Sequence, residues 1–204
     1  MIEGLVRILK GTRPPDDLPR DALARLPAGV AAQLFTVPLI PAAVLVGLVA
    51  RDSGWEVLLT RRTDHLRDHP GQISFPGGRL EPDDAGPRGA AIREAGEEVG
   101  IRPEFIDVVG YLHPHAVVTG FAVCPVVAIL RPGFQLEPDP TEVAEIFFVP
   151  LDYVVDPAHL RLSERTVRGV RLPVYSCQYG PHLVWGATAQ ILNTLRESIH
   201  ATGR

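Results

Sequence analysis

The chain has 204 residues, 46% hydrophobic and 22% charged, with a net charge of −4. That length accommodates one domain whose core needs no disulfide or metal staple, and the charge balance excludes a duplex binder led by phosphate contacts. The 19 glycines and 20 prolines imply many turns, hence an α/β or α+β domain rather than a helical bundle.

Residues 1–34 read as an N-terminal extension, and residues 35–204 as the main domain. Within the extension, Asp16 and Asp17 precede a short helix with Leu18, Ala22, Leu23 and Leu26 apolar, closed by Pro27 and Gly29. The apolar run 42–50 predicts a buried strand, 51–54 a turn, and 55–60 its hairpin partner. Residues 61–72 are polar and without period, so a loop; 73–75 form a short strand running into Pro76-Gly77-Gly78. Residues 87–99 give the best helix: Pro87 suits its first turn, Gly100 a left-handed stop, and Ala91, Ala95 and Val99 form a core-facing stripe. Strands follow at 105–112 and 121–130, a loop at 131–145, and strands at 145–151, 171–178 and 182–185. A terminal helix spans 187–199. The tally is a mixed sheet with helices on its faces. Cys124 and Cys177 read as buried thiols of a reducing compartment. Early charges in the N-terminus, and no apolar stretch long enough to span a bilayer, make a cytoplasmic protein the expectation.

The informative segment is Arg93-Glu94-Ala95-Gly96-Glu97-Glu98-Val99-Gly100. Glu94, Glu97 and Glu98 lie at i, i+3 and i+4, on one side of the helix. They occupy its last turns, where the macrodipole disfavours acids, and each such conflict costs about 0.3–1 kcal/mol. Gly96 adds roughly 1 kcal/mol against Ala. A solvated acidic face is the ordinary explanation of such a run. Charges that break local placement rules, however, concentrate at functional sites, and a divalent cation would remove the conflict. All-oxygen ligands select Mg²⁺ or Mn²⁺ over Zn²⁺.

Joined to Phe75-Pro76-Gly77-Gly78, this helix resembles the Nudix box, the signature of Nudix hydrolases. Arg93, Glu94, Ala95, Glu97, Glu98, Gly100 and Ile101 match its second half position by position. The spacer from Gly78 to Arg93 is one residue longer than the usual form, and its acidic position is held by Asp83 or Asp84 rather than Glu. Upstream, Leu58-Leu59-Thr60-Arg61-Arg62, Arg67, Gly71 and Phe75–Gly78 resemble the motif of the coenzyme A pyrophosphatase subgroup, with all spacings kept and Thr63 where Ser or Ala is usual. The segment 184–192 is similar to that subgroup's closing strand and helix.

The resemblance implies a Nudix fold: a mixed sheet sandwiched between helices. It also implies cleavage of coenzyme A or acyl-CoA to 3′,5′-ADP and 4′-phosphopantetheine or its acyl form. Glu94 and Glu98 would hold Mg²⁺ or Mn²⁺, with Glu97 as a further ligand or through water, and Arg93 would belong to the same catalytic set. Arg62, Arg67, Gly71, Phe75, Gly77 and Gly78 would form the substrate side. Glu97 is the first choice for general base, and Glu142 the alternative.

The physical reading of the residues agrees. Residues 61–79 carry Arg61, Arg62, Arg67 and Arg79, and Arg suits phosphate because its planar fork donates two bonds at once. The competing explanation is a surface pair with Asp64 or Asp68. His65 and His69 could add phosphate contacts, whereas His113 and His115 lack the further ligands a metal needs. Trp185 serves as core or as a stacking platform. A small-molecule substrate is expected, with no nucleic acid and no membrane; a homodimer is compatible with the sequence but not dictated by it. Two other functions stay open: hydrolysis of another nucleoside diphosphate compound, and a non-catalytic Nudix-fold binding module.

Overall fold

The continuous apolar run after residue 40 becomes the central strand of the molecule, because a strand apolar on both faces must be covered on both. The structure, a computed structural model, describes residues 1–66 and 68–201. In chain order its elements are α1 (Ile2–Leu9), α2 (Leu18–Ala24), α3 (Val30–Leu34), β1 (Ile40–Arg51), β2 (Gly54–Arg62), β3 (Ile73–Ser74), β4 (Gly77–Arg79), α4 (Gly86–Val99), β5 (Ile106–Tyr111), β6 (His115–Val117) and β7 (Phe121–Leu130). There follow β8 (Val143–Pro150), α5 (Leu151–Val155), β9 (Arg161–Val167), β10 (Val170–Tyr179), β11 (His182–Trp185) and α6 (Ala187–His200).

β1 pairs parallel with β7 and antiparallel with β2 and β4. β2 also pairs with β3 and β8, and β7 with β5 and β6, all antiparallel. The result is a mixed sheet, beside which β9, β10 and β11 form a smaller antiparallel one. The side chains of β1 divide between the two faces. Ala43, Leu45 and Val49 pack with Ala91, Ala95 and Val99 of α4 and with Leu18 and Ala22 of α2. Val46 and Leu48 pack with Leu5 and Leu9 of α1, Leu151 of α5, and Ile191 and Leu195 of α6. This is the expected sandwich, in which a helical layer on each face removes the sheet from water.

Several local elements differ from the sequence reading, among them α3, which it did not contain. α1 has the helical spacing Ile2, Leu5, Leu9 but no side-chain cap at Met1, so nothing in the residues announces its start. Gly77–Arg79, to which the sequence reading assigned no strand, is one hydrogen-bonded to β1. His115–Val117, between two expected strands, pairs with β7. β9 is exposed along nearly its whole length, and a strand without a buried face shows no alternation in sequence. α4 begins one residue early, and Gly100 closes it in the left-handed conformation (φ 74°) with its N–H on Ala95 O and Gly96 O.

Candidate active site

The two glycines of β4 do separate work. A Cβ on Gly77 would lie 2.4 Å from Ala43 O, so only glycine lets this strand close on β1. A Cβ on Gly78 would lie 2.1 Å from Glu94 Oε1; its absence is what lets the Glu94 carboxylate rest on the strand. Gly77 N–H donates to Glu98 Oε2 at 3.2 Å. Glu94 and Glu98, one turn apart on α4, thus converge on the same two residues of β4.

The three glutamates are not equivalent. Glu98 is 5% exposed, and burial pushes its carboxyl up to about 8; Glu94 and Glu142 add to the shift, while Arg62 and the Gly77 N–H oppose it. Burial also raises Glu94, against the pull of Arg93 and with the help of Glu97 and Glu142. The Glu97 side chain is 60% exposed and accepts a hydrogen bond from Arg93 at 2.9 Å.

Arg93 is the fixed cation of the site. Its Nε and Nη2 donate to the two oxygens of Asp84 at 3.1 Å, its Nη1 to Glu94 at 3.0 Å and Glu97 at 2.9 Å, and its Nη2 also to Arg79 O at 3.0 Å. Asp84, more than any other group, holds the Arg93 guanidinium above its ordinary range, and the same bond draws Asp84 down. Of the two aspartates in the spacer, Asp84 therefore tethers the helix, and Asp83 is exposed. Sequence reasoning left that choice open because Asp84 stands nine positions before Arg93, ahead of the start of the helix.

The remaining carboxylate comes from far along the chain. The segment 131–142 docks on the C-terminal end of α4: Glu137 N–H donates to Val99 O and Asp139 N–H to Glu98 O, each at 3.0 Å. These bonds occupy carbonyls that a helix end leaves unpaired. Thr63 N–H then donates to Glu142 O at 2.9 Å, and Thr63 Oγ1 to Thr141 O at 3.2 Å. Glu142 consequently faces Arg62, whose Nη2 is 3.8 Å from Glu142 Oε2 while its Nη1 is 3.9 Å from Glu98 Oε1.

The other expected substrate residues divide. Gly71, at φ 66°, closes the loop over Asp64: a Cβ there would meet Asp64 Oδ1 at 2.8 Å. The Phe75 side chain is buried in the core on the α6 face of the sheet and anchors the strand ahead of β4. Arg67 lies outside the described residues. Arg61 forms the surface pair with Asp64, at 2.7 Å, and Arg79 lies over the Phe121 ring. His65 bonds Thr141 O at 3.1 Å and His69 bonds Gln72 at 2.9 Å, so both brace loops. His115 bonds Thr194 at 3.3 Å and burial lowers it to about 4. Trp185 carries Arg165 over its ring at 4.7 Å.

The donor set suits a hard cation. Glu94 and Glu98 are carboxylates whose ionised forms are disfavoured by burial and by each other, with Glu142 acting on both. A divalent ion bound by oxygen relieves that conflict, and nothing in the set offers sulfur or imidazole.

Residues 40–168 match the model of the NUDIX domain. The chain belongs to the Nudix family. An Enterobacter sp. (strain 638) protein described as an uncharacterized Nudix hydrolase NudL is 42% identical over 154 residues, covering 76% of this chain and 80% of that protein. A Photorhabdus laumondii protein of the same description is 39% identical over 158 residues, covering 78% and 84%. Among solved structures, a Nudix hydrolase from M. smegmatis is 26% identical over 56% of this chain and 73% of its own, with a TM-score of 0.48. A C. elegans Ap4A hydrolase complex is 22% identical over 54% and 80%, also at 0.48. This Nudix hydrolase therefore acts in a family that splits nucleoside diphosphate derivatives and generally uses divalent metal ions. Among the described residues, no helix is long and apolar enough to cross a membrane.

Proposed function

We propose that this Nudix hydrolase cleaves the pyrophosphate of coenzyme A or an acyl-CoA, releasing 3′,5′-ADP and 4′-phosphopantetheine or its acyl form. The observation that carries this reading is the position of Arg62. It belongs to the upstream motif and sits at the end of β2, yet it reaches the helix carboxylate Glu98 at 3.9 Å. An arginine of the upstream motif thus stands beside the acidic helix, which supports a site for a phosphate-rich substrate with its pyrophosphate beside a cation.

Glu94 and Glu98 would hold Mg²⁺ or Mn²⁺, with Glu97 as a further ligand or through water; such an ion would neutralise the pyrophosphate and lower the pKa of the attacking water. Arg93 and Asp84 fix the orientation of Glu94 and Glu97. Arg62 and Arg67 bind substrate phosphate, and the chain of β4 approaches it closely because Gly77 and Gly78 have no side chains. Water adds its oxygen to one phosphorus, the bridging P–O bond breaks, and a carboxylate takes the proton. Glu97 and Glu142 are the two candidates for that base. The buried free thiols Cys124 and Cys177 accord with residence in the cytoplasm.

The test is incubation of purified protein with coenzyme A and Mg²⁺ or Mn²⁺, alongside ADP-ribose, a dinucleoside polyphosphate and a nucleotide sugar, with products identified by mass. Preferential conversion of coenzyme A to the two stated products is expected. Preference for another member of the panel would replace the substrate assignment, and no cleavage at all would indicate a binding module.

A further inference from the structure

The two arginines of the site are held in opposite ways. Every guanidinium nitrogen of Arg93 makes a hydrogen bond between 2.9 and 3.1 Å. Arg62 lies 3.9 Å from Glu98 and 3.8 Å from Glu142, beyond the roughly 2.7–2.9 Å of a charge-assisted hydrogen bond. Its Nε is buried and, among the described residues, has no acceptor. Arg93 is thus built into the fold, whereas Arg62 is held between two acids by charge alone. Arg62 is also the last residue of β2, next to a bulge at Arg61, and its side chain keeps contact with solvent. Bulges of this kind re-aim a side chain.

Resting on the hydrolase reading above, we propose that Arg62 is the resident counter-ion of Glu98 and Glu142, displaced when a divalent cation takes the Glu98 carboxylate and so released to a phosphate of the substrate. A dication on Glu98 removes one partner of Arg62 and repels it. The substrate phosphate then becomes its counter-ion, and the donors left unused now, Nε among them, fit a phosphate fork. Metal and phosphate ligand consequently favour each other's binding, with Arg62 carrying the coupling in both directions.

The experiment measures Mn²⁺ affinity without substrate, from the EPR signal of the free ion, in wild type and Arg62→Gln. Thermal melting verifies that the variant is folded. Arg62→Gln is expected to bind Mn²⁺ roughly fivefold or more tightly, because no resident charge has to leave. Equal or weaker binding overturns the proposal. A second measurement needs no variant: in ¹⁵N NMR of the wild type, the Arg62 Nε–H signal should shift or broaden as Mg²⁺ is added, and a signal unmoved at saturation overturns the proposal too. Failure of the hydrolase reading looks different. If Mn²⁺ binds neither protein, or binds Glu98→Gln as well as wild type, the carboxylate site and the displacement fall together. If Mn²⁺ tightens as stated and coenzyme A stays intact, Arg62 keeps its role and only the substrate assignment fails.

Discussion

Replacing Glu98 with Gln keeps the shape of the side chain and removes one buried charge. In the metal-free protein the carboxyl of Glu98 stands at about 8 against an ordinary 4.5, chiefly through burial. Between those two values the native state holds a proton that the unfolded chain has released, so stability falls as pH rises; below the lower value both states are protonated and nothing is lost. Each pH unit in that window is worth about 1.4 kcal/mol, so full ionisation of Glu98 costs the metal-free wild type on the order of 5 kcal/mol. Glu98→Gln escapes that cost, since its amide oxygen can still accept from Gly77 N–H. Urea unfolding in the presence of a chelator should find the variant more stable than wild type by a few kcal/mol near pH 9. The gap should close towards pH 5. Turnover of coenzyme A should fall by at least about 10², because metal activation of water is lost. A stability difference that does not change with pH would refute the buried-charge argument, and full activity in Glu98→Gln would refute the metal assignment.

Further outcomes are expected. Arg62→Ala and Arg67→Ala should each weaken coenzyme A far more than a simple dinucleotide diphosphate, by the roughly 1.5–3 kcal/mol of a lost charge-assisted contact; steady-state kinetics on both substrates decide, and equal losses would assign these arginines to the shared pyrophosphate. Gly96 is exposed in the helix interior and a Cβ there meets nothing closer than Ile101 O at 3.8 Å, so Gly96→Ala should stabilise the fold by about 0.5–1 kcal/mol in urea titration with turnover unchanged. The acid limb of kcat/KM should move to lower pH as Mg²⁺ is raised, because the cation favours the ionised forms of Glu94 and Glu98 that burial opposes; a limb fixed from low to saturating Mg²⁺ would uncouple these carboxylates from metal binding.

Elements with a local cause were legible in the residues. β1 declares itself by an unbroken apolar run and α4 by Pro87, Gly100 and an alanine stripe, and the placement of acids at the end of that helix marks the candidate site. What depends on distant partners was not. Gly77 and Gly78 look like a turn until β1 and Glu94 stand against them. The role of Asp84 appears only when the spacer folds back on Arg93. Nothing local in 131–142 says that its N–H groups will cap α4 through Glu98 O and Val99 O, and without that docking Glu142 would not face Arg62. α1 shows the reverse case: its apolar spacing is present, but an uncapped start conceals a helix whose Leu5 and Leu9 lie in the core.

The most direct measurement of the central claim is hydrolysis of coenzyme A by the Mg²⁺-loaded enzyme in ¹⁸O-labelled water, followed by mass spectrometry. Attack of water on the pyrophosphate requires 3′,5′-ADP and 4′-phosphopantetheine, with a single ¹⁸O incorporated in one or other product. Intact coenzyme A, or release of inorganic phosphate from the 3′ position with the pyrophosphate left whole, would contradict it.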